Sequence, residues 1–119
     1  MVSFEAFRAV DRTPVYLQII NYIKRGAIAG TIRDGDELPS RRVLSALLGI
    51  NPNTVQKAFH MLEESHLIES RTGAKSCMTL PPDTLDALRR EVLSDELRTM
   101  ARTLRQLGIS KEEALRLIE

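Results

Sequence analysis

The chain has 119 residues, of which 43% are hydrophobic and 28% are charged. That length accommodates one ordinary domain with a small appendage, and the composition is typical of a soluble globular protein. No apolar run approaches the roughly 18 residues of a membrane-spanning helix, and the N-terminal residues lack the pattern of a secretion signal. Because 17 basic residues are balanced by 16 acidic ones, the net charge of +1 does not by itself indicate a nucleic-acid binder.

The cysteine and histidine content limits the chemistry that the chain can perform. Cys77 is the only cysteine, which excludes an internal disulfide framework and a cysteine-rich zinc site and suits a reducing compartment. We therefore expect a cytoplasmic protein in which Cys77 fills a strand. His60 and His66 have no cysteine or acidic ligand at metal-binding spacing, so neither a metal nor another cofactor is expected.

The first predicted element in chain order is a helix over residues 14–29. Thr13 is a good N-cap, proline is tolerated at the first helical position, and Gly30 can end the helix in a left-handed conformation. Helical periodicity predicts that its buried face consists of Tyr16, Ile19, Ile20, Ile23 and Ala27.

A tight turn is predicted to join the next two helices. Ser40 caps a helix over residues 41–48, Gly49 ends it, and Asn51 caps a third helix over residues 52–64. This is the arrangement of a helix-turn-helix, in which the second of the two helices enters the DNA groove. The residues expected to be buried are Val43, Leu44, Leu47 and Leu48 in the second helix and Val55, Ala58, Phe59 and Leu62 in the third.

The third helix also has a polar face. Helical spacing places its polar residues opposite the buried stripe, where they are expected to face solvent. They are Asn53, Thr54, Gln56, Lys57 and His60.

A β-hairpin and a helical tail are predicted to follow. Residues 67–71 and 76–80 are strand-like and flank a turn, which is the pattern of a wing. The two prolines that follow continue neither strand nor helix, so the sequence divides into a domain of residues 1–80 and a helical segment of residues 83–119.

The helical tail is expected to join two copies of the chain. A long helix begins at Asp83 and stops at Gly108, and a capping box from Ser110 to Glu113 opens a short final helix. One long helix with a broad apolar side indicates an interface. The expected interface residues are Leu85, Leu88, Val92, Leu97, Met100, Leu104 and Leu107.

Several short motifs occur together in the N-terminal two thirds of the chain. They are Leu38-Pro39-Ser40-Arg41-Arg42, Leu44-Ser45, Leu48-Gly49-Ile50, Asn51-Pro52-Asn53-Thr54-Val55 with Ala58, Leu62-Glu63 and Leu67-Ile68. With this set, the chain resembles the winged helix-turn-helix of the GntR family of bacterial regulators. The tail is too short for the large effector domains of most GntR subfamilies. Together with the Asn-Pro-Asn-Thr opening, it is similar to the YtrA subfamily, whose members dimerise through two short C-terminal helices.

The resemblance implies a fold and a set of DNA contacts. The fold is mainly α with a small β-hairpin: a winged helix-turn-helix followed by a short two-helix dimerisation segment. The family's DNA-contacting arginine corresponds to Arg42, and helix N-termini favour phosphate near Ser40 and Arg41. The family's base-reading positions correspond to Asn51, Asn53, Thr54 and Gln56, whose amides and methyl group suit adenine and thymine. The other implied contacts are Lys57 on phosphate and Arg71, Thr72, Gly73 and Lys75 on the wing.

Two positions depart from the family pattern. The family's wing usually carries Gly-x-Gly, whereas Ala74 and Lys75 follow Gly73 here. His66 stands where the family generally has a glycine that turns the chain out of the third helix. Histidine adopts positive φ more readily than most residues but less readily than glycine, so the departure affects the geometry of the turn.

Three functions remain open on the sequence alone. The leading hypothesis is a sequence-specific regulator, acting as a repressor, whose homodimer binds an inverted repeat in double-stranded DNA. The second is a winged-helix module whose third helix meets another protein. The third is an enzyme, for which the sequence offers no nucleophile-base pair, no phosphate-binding glycine loop and no metal cluster. A small-molecule effector also remains open, whereas a membrane partner is not expected.

Overall fold

The computed structural model describes residues 1–10, 12–71 and 75–119. The described chain is mainly helical with a small antiparallel hairpin, which confirms the predicted fold class. No helix in these ranges has the length and apolar character needed to cross a membrane. The elements are α1 (Val15–Ala29), α2 (Arg41–Leu48), α3 (Pro52–Glu64), β1 (Ile68–Arg71), β2 (Lys75–Met78), α4 (Pro82–Gln106) and α5 (Lys111–Ile118).

Local capping defines the helix-turn-helix. The Ser40 hydroxyl accepts a hydrogen bond from the Val43 backbone N–H at 3.1 Å, which satisfies one free donor at the start of α2. Gly49 ends α2 in the left-handed region, with φ of 64°. The Asn51 side chain then accepts from the Asn53 N–H at 2.8 Å, and α3 begins one residue after this cap. The predicted bounds of α2 and α3 are therefore confirmed.

The core of the first unit forms where α1 and α2 pack on α3. The α3 residues predicted to be buried are all covered, and Ile19 and Ile23 of α1 are fully covered as well. Tyr16, which was expected on the buried face of α1, is only half-buried. The core therefore holds α3 by its apolar stripe, and the opposite face of that helix is exposed to solvent.

The predicted burial of Val43 and Leu47 is wrong. Their exposed fractions are 47% and 69%, while Leu44 and Ser45 are the buried residues of α2. Val43 and Leu47 are four residues apart and share one stripe of the helix, adjacent to the stripe that contains Leu44. A two-turn helix packed on α3 covers only the stripe that faces α3, so an apolar neighbouring stripe stays in solvent.

The hairpin is fastened to the helical core along its base. β1 and β2 pair antiparallel from Ile68 opposite Met78 to Arg71 opposite Lys75. Ile68 and Met78 are buried, as is Cys77, which lies in β2 as predicted. These contacts hold the base of the wing in a fixed position beside α3.

An N-terminal segment completes the first unit and was not anticipated from the sequence. Phe4 stacks on Tyr22 of α1 with ring centroids 5.1 Å apart, and Phe7 meets the same ring edge-on at 5.5 Å. The Val2 N–H donates to the Glu37 carbonyl at 2.8 Å. Helical periodicity accounts for only one buried face of α1, so it gave no indication that the N-terminal segment packs on Tyr22.

The chain forms two compact units, residues 1–88 and 89–119. Their boundary lies within α4 and thus differs from the predicted boundary at the two prolines, because the first turns of α4, including the buried Leu88, belong to the first unit. In the second unit, Ser110 caps α5 by accepting from the Glu113 N–H at 3.2 Å, as the capping box predicts.

Candidate nucleic-acid interface

The outer face of α3 presents polar side chains with unused hydrogen-bonding groups. Asn53, Gln56 and Lys57 are exposed and Thr54 is half-buried. Within the described ranges, neither the Asn53 nor the Gln56 amide has a hydrogen-bond partner. Each amide offers both a donor and an acceptor, which is the combination that pairs with an adenine edge.

Asn51 has a structural role in addition to its predicted DNA contact. Its side-chain oxygen is occupied by the Asn53 backbone N–H, 2.8 Å away. The side-chain NH₂ group remains free to donate to an acceptor, either a base edge or a phosphate. The cap therefore orients the exposed Asn51 at the start of α3 and leaves its side-chain NH₂ group available as a donor.

Arg42 is an exposed cation in the first turn of α2. No carboxylate lies within ion-pair distance of it in the part of the chain that the structure describes. The N-terminus of α2, capped by Ser40, adds a partial positive charge next to this guanidinium. An unneutralised guanidinium beside a helix N-terminus suits the phosphate backbone or a guanine edge.

Arg41 is the centre of an internal network. Its Nη2 donates to Glu63 Oε1 at 2.9 Å, and its guanidinium lies 5.2 Å from the ring centroid of Phe59. The Ser70 hydroxyl donates to the same Glu63 oxygen at 3.0 Å. One carboxylate thus connects α2, α3 and β1, and the predicted phosphate contact of Arg41 would compete with this pairing.

Lys57 and the cations at the wing have different neighbours. The Lys57 ammonium lies over the ring of Tyr16, 4.1 Å from its centroid. Lys75 lies 3.6 Å from a Glu37 oxygen, and Arg71 lies 3.4 Å from Glu69. The predicted contacts Thr72 and Gly73 lie outside the described residues.

The second unit carries an apolar seam, which we define as Leu93, Leu97, Met100 and Leu104 of α4 together with Leu107, which directly follows the helix. These residues alternate at spacings of four and three, the pattern of a helix that packs along a partner helix. Leu97, Met100 and Leu107 are 61%, 47% and 67% exposed. Leu97, Met100 and Leu104 of the seam line a groove of about 420 Å³, to which α5 contributes Ala114, Leu115 and Ile118.

The predicted interface residues do not all lie on this seam. Leu88 is buried within its own protomer, and Leu85 and Val92 are half-buried. The apolar surface left for a partner is therefore concentrated toward the C-terminal half of α4 and on α5.

The contacts of Arg41 with Glu63 and of Lys57 with Tyr16 were not predicted from the sequence. Glu63 was recognised only as part of a motif, and Tyr16 only as a buried position. The sequence showed only that Arg41 stands where many family members carry an acid, and this does not identify Glu63 as its partner. Nothing in the sequence paired Tyr16 with Lys57, because the two lie on different helices.

The helix-turn-helix, its polar recognition face and the hairpin beside it define a winged helix-turn-helix DNA-binding protein. None of the described residues forms a histidine, cysteine or carboxylate cluster that could hold a metal.

Comparison with known proteins agrees with this class. The model of the family described as "Bacterial regulatory proteins, gntR family" matches residues 10–75. The HTH-type transcriptional regulator YhcF of Bacillus subtilis (strain 168) is 29% identical over 102 residues, which are 86% of this chain and 84% of YhcF. The HTH-type transcriptional repressor YtrA of the same strain is 44% identical over 61 residues, 51% of this chain and 47% of YtrA.

The fold has a close counterpart among solved structures. A GntR family transcriptional regulator from Listeria monocytogenes matches with a TM-score of 0.82 and 30% identity, covering 92% of this chain and 96% of that one. The chain belongs to the GntR family, and its likeness to YtrA places it in the YtrA subfamily. It is therefore a DNA-binding transcription regulator and not an enzyme.

Proposed function

We propose that the chain is a sequence-specific repressor that binds an inverted-repeat operator as a homodimer. The observation that carries the proposal is that the same unit presents amides without internal partners, on Asn53 and Gln56, and a guanidinium without a carboxylate partner, on Arg42. Amides without internal partners are available to base edges, and an unpaired cation is available to phosphate or guanine. In this arrangement α3 enters the major groove and α2 lies across the backbone.

The homodimer is supported by the exposed seam of the second unit. Leu97 and Leu107 are 61% and 67% exposed in the single chain, Leu93 is 46% exposed, and apolar side chains at heptad spacing favour burial against a matching surface. A second copy supplies such a surface by two-fold symmetry, because each chain then presents the same seam to the other. Two recognition helices related by a two-fold axis require an operator with the same symmetry, which is an inverted repeat.

Repression is supported by the relative YtrA, which is named a transcriptional repressor. We place the activity in the cytoplasm, where a chromosomal operator is accessible.

The test is selection of bound sequences from random duplex DNA. The wild-type protein, Arg42→Ala and Arg102→Ala are each incubated with the pool, and the retained duplexes are sequenced. Arg102 is an exposed arginine of the second unit. Its substitution by alanine therefore removes the same charge as Arg42→Ala, but away from the proposed DNA interface. We expect an inverted repeat with wild type and Arg102→Ala, and its disappearance with Arg42→Ala at an unchanged unfolding midpoint.

Other outcomes contradict the proposal. A folded wild-type dimer that enriches no sequence would favour the protein-interaction module, and an enriched single half-site would contradict the homodimer. Retention of the inverted repeat by Arg42→Ala would remove Arg42 from the contacts.

A further inference from the structure

Apart from Arg42, which has no carboxylate within ion-pair distance among the described residues, the cations of the first unit that were predicted to meet DNA fall into two groups. Arg41, Arg71 and Lys75 each have a carboxylate oxygen within 3.6 Å. Lys57 has an aromatic ring instead, with its ammonium 4.1 Å from the centroid of Tyr16. The difference matters, because a carboxylate restrains a cation but also neutralises it, whereas a ring restrains it and leaves the full charge.

We propose that Tyr16 is a positioning residue for DNA binding, whose ring holds the Lys57 ammonium ready for a phosphate. The inference rests on the proposed function, since it concerns how the same interface is prepared for its ligand. Tyr16 is half-buried in the first turn of α1, so its ring is held by the packing of α1 on α3. Lys57 is exposed on α3, and a free lysine side chain there would sample many rotamers.

The chemistry of the contact leaves the ammonium able to bind. An ammonium group has three N–H donors, and a ring face engages only one side of it. Because Lys57 is exposed, the remaining donors are accessible to a phosphate oxygen. Because the ring has already restricted the lysine, less conformational entropy is lost when DNA binds.

Four variants test this inference: Tyr16→Phe, Tyr16→Leu, Lys57→Met and the double variant Tyr16→Leu/Lys57→Met. Phenylalanine keeps an aromatic ring, whereas leucine keeps only an apolar side chain. Comparing the two variants therefore distinguishes the effect of the ring–ammonium contact from the effect of apolar packing. Affinity for the selected operator duplex is measured across a range of KCl concentrations, and unfolding midpoints are recorded for every variant.

We expect Tyr16→Phe to bind like wild type and Tyr16→Leu to bind about two- to fivefold more weakly per half-site, the range of an exposed cation–π contact. Lys57→Met should flatten the slope of log K against log salt by about 0.9 per protomer, because each protomer then neutralises one phosphate fewer. In the Lys57→Met background, Tyr16→Leu should cause no further weakening. An equal effect in both backgrounds would show that Tyr16 acts through packing and would overturn the proposal.

A second measurement needs no DNA. Protons over a ring face resonate upfield, so the ε-methylene protons of Lys57 should be shifted upfield in wild type and Tyr16→Phe and not in Tyr16→Leu. Unshifted protons in wild type would overturn the inference whatever the outcome of the binding experiment. If no operator is enriched but duplex DNA is still bound, the proposed function fails. The salt dependence of affinity for a random duplex, compared among the same variants, then decides whether Tyr16 acts through Lys57.

Discussion

At the scale of single residues, Glu63 is expected to stabilise the fold and, at the same time, to weaken DNA binding. Its Oε1 accepts from Arg41 and Ser70, and both partners of the Arg41 ion pair are about one third exposed at 31% and 33%. A partly exposed pair of this kind contributes about 0.2–1 kcal/mol to the free energy of unfolding. The same carboxylate places a negative charge next to a guanidinium that was predicted to meet phosphate.

Glu63→Gln is therefore predicted to affect stability and DNA affinity in opposite directions. The amide keeps the shape and an acceptor oxygen but removes the charge, so the free energy of unfolding should fall by about 0.5 kcal/mol. DNA affinity should rise and the salt dependence should steepen by up to about 0.9 per protomer, because Arg41 is no longer neutralised. Urea unfolding and titration of a duplex at several salt concentrations measure the two effects.

Glu5→Gln is the matched control, since it removes the same charge from an exposed position outside the helices of the first unit. It should leave both measurements near the wild-type values. An unchanged salt slope in Glu63→Gln, with the protein folded, would mean that Arg41 serves only the internal network.

At the scale of elements, the sequence predicted what local chemistry determines. Ser40, Gly49 and Asn51 mark where helices begin and end through their own hydrogen bonds and φ angles, so the bounds of α2 and α3 could be predicted. The exposure of Leu47 could not, because it depends on which neighbour α2 packs against. The pairs Arg41–Glu63 and Tyr16–Lys57 were equally inaccessible, since each joins two different helices.

The turn after α3 contains a residue under strain. His66 has φ of 61°, in the left-handed region where a side chain costs about 1 kcal/mol or more relative to glycine. The sequence predicted that histidine here would affect the geometry of the turn, and the structure places it at positive φ. The side chain is exposed, so its removal leaves no cavity.

His66→Gly is predicted to raise the free energy of unfolding by about 0.5–1 kcal/mol, because it relieves the left-handed strain at some cost in unfolded-state entropy. His66→Ala keeps a Cβ and removes only the imidazole, so it serves as the control and should give no increase. Chemical denaturation at fixed pH measures both. A destabilised His66→Gly would show that the imidazole makes a contribution larger than the strain.

At the scale of the whole molecule, a net charge of +1 leaves little general attraction to DNA. In the proposed homodimer, affinity comes from a few placed side chains used twice, once in each protomer. Joining two binding units raises affinity by about 10²–10⁴-fold when both reach their half-sites together. If the chain dimerises as proposed, the seam is therefore as important to operator binding as the residues that face the DNA.

Leu97→Glu is predicted to separate the dimer. Leu97 is 61% exposed in the single chain, so the substitution costs little within the protomer but introduces a charge where two seams would meet. Sedimentation should change from dimer to monomer, and affinity for the inverted repeat should fall by about 10²-fold or more. Leu47→Glu is the control for oligomeric state, because Leu47 is 69% exposed but lies on α2.

The two variants together separate assembly from folding. Leu47→Glu should sediment as wild type, and both proteins should keep the helical content of the parent. A Leu97→Glu protein that remains dimeric would move the interface away from the seam. A wild-type protein that is monomeric at micromolar concentration yet binds the inverted repeat would mean that DNA brings the two protomers together.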